Sequence, residues 1–258
     1  MGQRIAWQKK LLFVESALIV LIMLALVILV ALHVFGRSGI VAVVLGVAML
    51  AVLSYRQGRP VVPNNLIPVQ PEAAPELYRI IEELCKRAEL KRCPAVYLLP
   101  EELMNAATIE TRVGPIIVLT PSTIHRLTPR QLTGILAHEV AHLEYHDTLL
   151  LQLTAMVHTI TQSIANVAWF MLVLFFPLLF FSEGTFPLYL LLLLFGAPLA
   201  SVLLQLAFSR SRELNADLGA VELTRDPEGL ANALERIDRV QSYALSQLFP
   251  FRRPRQKS

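Results

Sequence analysis

Hydrophobic positions along the chain fall into two patterns, unbroken blocks and short periodic stretches. The first block runs from Leu11 to Phe35, interrupted only by Glu15, Ser16 and His33. It is longer than the apolar region of a signal peptide, and no small-residue cleavage site follows it. It predicts a transmembrane helix. Gly36-Arg37-Ser38-Gly39 predicts a turn, and Ile40–Tyr55 a second, shorter span that closes a helical hairpin. A third block extends from Leu149 to Phe181; its cleaner span is Ile164–Phe181, with Pro177 as a kink. Ser182-Glu183-Gly184-Thr185 predicts the next turn, and Phe186–Phe208 a fourth span.

Between the hairpins the pattern becomes periodic. Pro60, Pro63, Pro68, Pro71 and Pro75 mark a linker. From Glu76 onward, Leu77, Ile80, Ile81, Leu84 and Ala88 fall at spacings of three and four, the signature of an amphipathic helix. Ala95–Leu99, Asn105–Ile109 and Pro115–Thr120 read as short strands, and Thr120-Pro121 as the start of a short helix. Thr128-Pro129-Arg130-Gln131 starts a further helix: Thr128 caps it, Pro129 suits its first turn, and Gln131 completes a capping box. That helix carries His138-Glu139-Val140-Ala141-His142 and is expected to run towards Leu149. After Ser209 the chain is polar with helical periodicity and ends in a basic cluster, Arg252, Arg253, Arg255 and Lys257.

Composition agrees with the block pattern. The chain has 258 residues, 55% of them hydrophobic, a formal charge of +3 and a pI near 9.0. The mild basic excess fits orientation in a membrane, and no basic run interleaved with aromatics suggests a nucleic-acid partner. Lys and Arg gather at the N-terminus, after Tyr55 and in the tail, whereas the two hairpin turns carry only Arg37 and Glu183. The positive-inside rule then makes both termini and the central domain cytoplasmic. Cys85 and Cys93 form no C-x-x-C pair, and free thiols are expected.

The predicted fold class is therefore a mainly α membrane protein. Four transmembrane helices carry a cytoplasmic α+β catalytic domain with a small β-sheet. The expected divisions are a transmembrane hairpin over 1–56, a catalytic region over 57–149, a second hairpin over 150–208, and a cytoplasmic helical segment with a basic tail over 209–258.

The chemistry sits in His138-Glu139-Val140-Ala141-His142. Residues four apart share a helix face, so His138 and His142 can offer two imidazoles to one zinc ion. Glu139 lies about 100° round the helix, close enough to take a proton from a water that zinc has acidified to a pKa of about 7. The surrounding Ile135-Leu136-Ala137 is apolar, and burying these polar groups there is costly unless they have a partner.

A catalytic zinc needs a third protein ligand. Tyr145 and Thr148 stand where a metzincin carries its glycine and third histidine, which excludes that class. His146 lies too far along the same helix, Glu144 points away, and Glu183 lies across the membrane in the expected topology. Glu213 falls just past the fourth span, four residues before Asp217. Glu213 could bind zinc, with Asp217 orienting a ligand histidine through its second ring nitrogen. The same spacing also suits a solvated acidic face paired with Arg210 and Arg212. Ala216, Gly219 and Ala220 are small enough for this helix to approach another closely. Arg210 or Arg212 could stabilise an oxyanion or serve as interfacial arginines.

The order of hydrophobic hairpin, Asn-Ala stretch, His-Glu-x-x-His, two more spans and Ser-Arg-x-Arg-Glu-x-x-Ala-Asp resembles the HtpX-like membrane zinc metalloproteases. These are relatives of the CAAX-processing endoprotease. The likeness covers roughly Leu11 to Ala220. It implies a gluzincin-type catalytic domain and one zinc per chain held by His138, His142 and Glu213. It also implies Glu139 as catalytic base and Asp217 as a partner of the site. Its bacterial members suggest a quality-control role, with misfolded membrane proteins as substrates and a bacterial or archaeal plasma membrane as the location. One departure stands out. Where the family pattern reads Asn-Ala-Phe-Ala-Thr-Gly, this chain reads Asn105-Ala106-Ala107-Thr108-Ile109-Glu110. Asn105 remains a candidate substrate contact, and an edge strand here could pair with an extended substrate or be a plain hairpin strand.

Other readings compete with a zinc endopeptidase. They are a CAAX-type prenyl-protein endoprotease, for which the chain is short; a catalytically silent zinc-binding scaffold, which does not need Glu139; and a transporter accessory, which would carry more polar pairs in its spans. His33 and Glu15 read as interfacial groups, and His158 as a helix-packing group.

Overall fold

The computed structural model describes residues 2–36, 61–144 and 188–248, with single positions between them at 45, 48, 49, 52, 159, 162, 163 and 166. Apart from those positions, the expected spans at Ile40–Tyr55 and Ile164–Phe181 lie outside the described residues. So do the turn at Ser182–Thr185, His146, His158 and the basic cluster from Arg252 to Lys257. The described helices are α1 (Gly2–Phe35), α2 (Pro75–Arg87), α3 (Pro121–Arg126), α4 (Pro129–Glu144), α5 (Leu188–Thr224) and α6 (Pro227–Leu248). The strands are β1 (Ile67–Pro68), β2 (Ala95–Leu98), β3 (Ala106–Thr111) and β4 (Gly114–Leu119). A mainly helical chain with a small sheet is what the periodicities predict. Two short elements fall inside the proline-marked linker, β1 and a 3-10 turn at Pro71–Ala73. Neither is long enough to show a period.

The chain divides into two compact units. One comprises Met1–Lys9, Gly58–His146 and Leu214–Ser258; the other comprises Lys10–Gln57 and Asp147–Glu213. In the second unit Ser16 donates to Ser211 Oγ at 3.1 Å, and Ser211 donates to the Leu12 carbonyl at 3.3 Å. Among the described residues, no helix is long and apolar enough to cross a membrane. The backbone of α1 is nonetheless continuous over 34 residues, and no Asp, Glu, Lys or Arg occurs from Ser16 to Gly36. α5 is likewise one helix through residue 208, where the apolar block gives way to polar sequence.

In the first unit the sheet order is β1-β2-β4-β3, with β2 parallel to β4 and the other pairs antiparallel. β3 is thus an edge, paired through Thr108↔Ile117 and its neighbours. α4 packs on β3, α2 and α6. Alternation turns Ile117 and Leu119 into the core, where they meet Leu77, Ile81 and Leu84 of α2 and Leu136, Ala137 and Val140 of α4. Each large aliphatic side chain buried here contributes roughly 1.5–3 kcal/mol. Ala216, Ala220 and Leu223 bring the last turns of α5 into the same core. The expected small-residue approach is therefore made.

Local chemistry fixes where α4 begins. The capping box forms as the sequence predicts: Thr128 N donates to Gln131 Oε1 at 3.0 Å and Gln131 N donates to Thr128 Oγ1 at 3.3 Å. Arg130 grips the start of α6, donating to Asp226 at 2.6 Å and Glu228 at 3.2 Å. The guanidinium, with the Gly229 N–H, holds the Asp226 carboxyl down at about 2. One turn on, Gly134 lies against α6 so closely that an added Cβ would meet Leu230 Cα at 3.0 Å. Glycine is the residue that lets these two backbones meet without a shift. Both cysteines are free thiols, and burial pushes the Cys85 thiol up, with Cys93 beside it adding to the effect.

Candidate metal centre

α4 is buried along most of its length, and His138 and Glu139 are buried with it. His138 is 8% exposed and Glu139 is 6% exposed, so each needs a partner to offset lost solvation. The helical spacing of four sets the His138 and His142 rings 4.8 Å apart, centroid to centroid, and perpendicular. His142 is half-buried and Glu213, on α5, is exposed. Glu213 immediately precedes the turns of α5 that enter the core through Ala216 and Ala220. One ligand atom from each of His138, His142 and Glu213 lies within 4.8 Å of the others. Two imidazole nitrogens and a carboxylate oxygen converging in this way form a donor set suited to a divalent metal such as zinc.

Asp217 lies one turn beyond Glu213. Its Oδ1 is 3.0 Å from His138 Nδ1, and neither atom is open to solvent. A carboxylate at that distance can orient the ring and favour the tautomer that turns the Nε2 lone pair towards a metal.

Glu139 is held from the other side. Thr108 on β3 donates to Glu139 Oε2 at 2.8 Å and lies 3.2 Å from the Glu139 carbonyl. Sequence reasoning passed over Thr108. The signal available was strand alternation, which turns Thr108 to the opposite sheet face from Ala107 and Ile109.

The other expected site residues supply no ligand atom to this cluster. The Asn105 backbone N–H donates to Thr120 Oγ1 at 3.0 Å and to Thr123 Oγ1 at 2.9 Å. Asn105 also lines a cavity of about 210 Å³ with Leu66, Leu99, Ala107 and Ile109. Arg210 is exposed and Arg212 half-buried on α5.

Residues 71–248 match the family described as peptidase family M48. The chain is 35% identical over 181 residues to a protein named Protease HtpX homolog from Methylibium petroleiphilum, covering 68% of this chain and 60% of that one. It is 31% identical over 236 residues to the Protease HtpX homolog of Ralstonia pickettii, covering 88% of this chain and 79% of the relative. It is 37% identical over 163 residues to Protease HtpX of Legionella pneumophila, covering 63% and 58% of the two chains.

Proposed function

The chain belongs to peptidase family M48, and from that premise we propose that it is a zinc endopeptidase cutting membrane or membrane-proximal proteins. The observation that carries the reading is the convergence of three ligand atoms beside a buried glutamate on the same helix. His138, His142 and Glu213 hold the metal, and Glu139 is the base. When bound, zinc acts as a Lewis acid that polarises a carbonyl and brings the pKa of water to about 7.

The protein residues do the rest. Glu139 takes a proton from the attacking water and returns it to the departing amide nitrogen, as a general base and then a general acid. Asp217 keeps the Nδ1 proton of His138 on its own side, so the ligand nitrogen stays unprotonated and aimed. The free edge of β3 can accept an extended substrate backbone by strand addition, with Asn105 at its start. Arg210 or Arg212 is the candidate stabiliser of the oxyanion. A silent zinc scaffold leaves the buried Glu139 and its Thr108 donor without a purpose.

Membrane residence is part of the same proposal. The uncharged part of α1, from Ser16 to its end at Phe35, matches the ~20 residues that a bilayer core demands. The apolar blocks Ile40–Tyr55, Ile164–Phe181 and Phe186–Phe208 supply the remaining spans of a four-span, multi-pass protein. The Lys and Arg bias puts the termini and the metal centre on the cytoplasmic side of a bacterial or archaeal plasma membrane. Substrates would then be misfolded membrane proteins, in a quality-control role, and a reporter fused after Ser258 should read cytoplasmic. An extracytoplasmic signal would overturn the orientation.

The activity is tested directly with detergent-purified protein and casein. Cleavage should stop when a chelator removes the metal and return when zinc is added back. Cleavage that ignores the chelator would end the metallopeptidase reading.

A further inference from the structure

We infer that Thr108 is a positioning residue for Glu139, its hydroxyl holding one carboxylate oxygen so that the other faces the reacting atoms. The inference rests on the endopeptidase reading above. Its geometric basis lies wholly within the unit that contains β3 and α4. The Thr108 hydroxyl has one proton to give and two nearby acceptors, the Glu139 carboxylate at 2.8 Å and the Glu139 carbonyl at 3.2 Å. The closer acceptor carries the charge, and charge-assisted bonds are the stronger. The proton therefore goes to Oε2, which fixes the direction of the carboxylate.

Two features make this an effective tether. Glutamate has three side-chain torsions, and a carboxylate on a long stem loses much rotamer freedom when fixed. Threonine is the opposite case, since its β-branch restricts χ1. Its backbone is in turn fixed by the pairing of Thr108 with Ile117. The stiff residue thus sets the direction of the mobile one. Thr108 also stands on the edge strand proposed to receive the substrate backbone, so a substrate docked there and the base on α4 would both be held by β3. With Asn105-Ala106 matched to the Asn-Ala of the family pattern, Thr108 falls where that pattern has alanine.

The test uses the full chain in detergent with two variants. Thr108→Val keeps the shape and removes the hydroxyl; Thr108→Ser keeps the hydroxyl and removes the methyl. With a fluorogenic peptide, Thr108→Val should lower kcat about tenfold, the loss expected of one hydrogen bond to a charged group. KM and bound zinc should stay near wild type, because neither substrate binding nor a ligand has been touched. Thr108→Ser should recover most of the rate. A second readout needs no activity. In metal-free protein, Thr108→Val should lower the melting midpoint when Glu139 is present and shift it much less in a Glu139→Leu background. If Thr108→Val does not fold, Thr108→Ser against Thr108→Ala carries the same comparison.

Equal melting shifts in both backgrounds would overturn the contact. An unchanged kcat in Thr108→Val, or an equally slow Thr108→Ser, would overturn the positioning role. A wild type that cleaves nothing would instead overturn the endopeptidase reading, and the positioning role with it. The melting cycle would still report separately on the contact.

Discussion

Glu139→Ala, purified in detergent and supplied with zinc, should cleave casein at about a thousandth of the wild-type rate or less. General acid–base groups contribute on the order of 10²–10⁴ in rate. Glu139 would serve twice, accepting a proton and then delivering it, so the upper part of that range is expected. The side chain is buried to 6% exposure and donates no atom to the three-residue cluster, so its removal should spare the metal. Bound zinc per chain should therefore match the wild type while activity disappears. This pairing of readouts separates an enzyme from a scaffold, for which the Glu139 carboxylate is dispensable. Equal casein cleavage by variant and wild type would end the protease reading.

Glu213→Ala should do the reverse, removing metal first and activity as a result. Structural zinc sites are worth on the order of 10–16 kcal/mol, shared among a few ligands, so losing one should weaken affinity about a hundredfold or more. A zinc titration followed by equilibrium dialysis reads this directly. His138 and His142 remain, so weak binding should persist, and activity should return only in excess zinc. The competing account of the same spacing is an acidic helix face paired with arginines. Under that account the titration would not move, and the third-ligand assignment would fall.

Much of the site was legible in the sequence because helix geometry is local. The spacing of His138 and His142, the capping box at Thr128 and Gln131, and the apolar periodicity of α2 each depend on residues within a turn or two of one another. The three longer strands were legible for the same reason, each displaced by about one residue from its expected range. Contacts between distant segments were harder. Glu213 lies far along the chain from His142, and spacing alone could not separate a ligand from a solvated acid; family resemblance decided it. Thr108 was missed because its partner Glu139 is 31 residues away, and nothing in Asn105-Ala106-Ala107-Thr108 marks the hydroxyl as special until β3 is laid on α4. β1 has only two residues and includes Pro68, so it had no pattern to read. The division expected at Ser209 followed a change in polarity and not a helix end. Backbone hydrogen bonding does not respond to that change, and α5 runs through it.

The contact between Gly134 and Leu230 also bears on how the chain is made. A ribosome releases α4 well before α6, and until Leu230 has emerged the histidine helix has nothing to rest on along that face. Arg130, which grips Asp226 and Glu228, waits for the same segment. The helix that bears the proposed base thus reaches its packed position only after nearly all of the described chain has been synthesised. In an endopeptidase this vectorial order separates two events in time: translation of its own apolar segments comes first, and completion of the cutting machinery second.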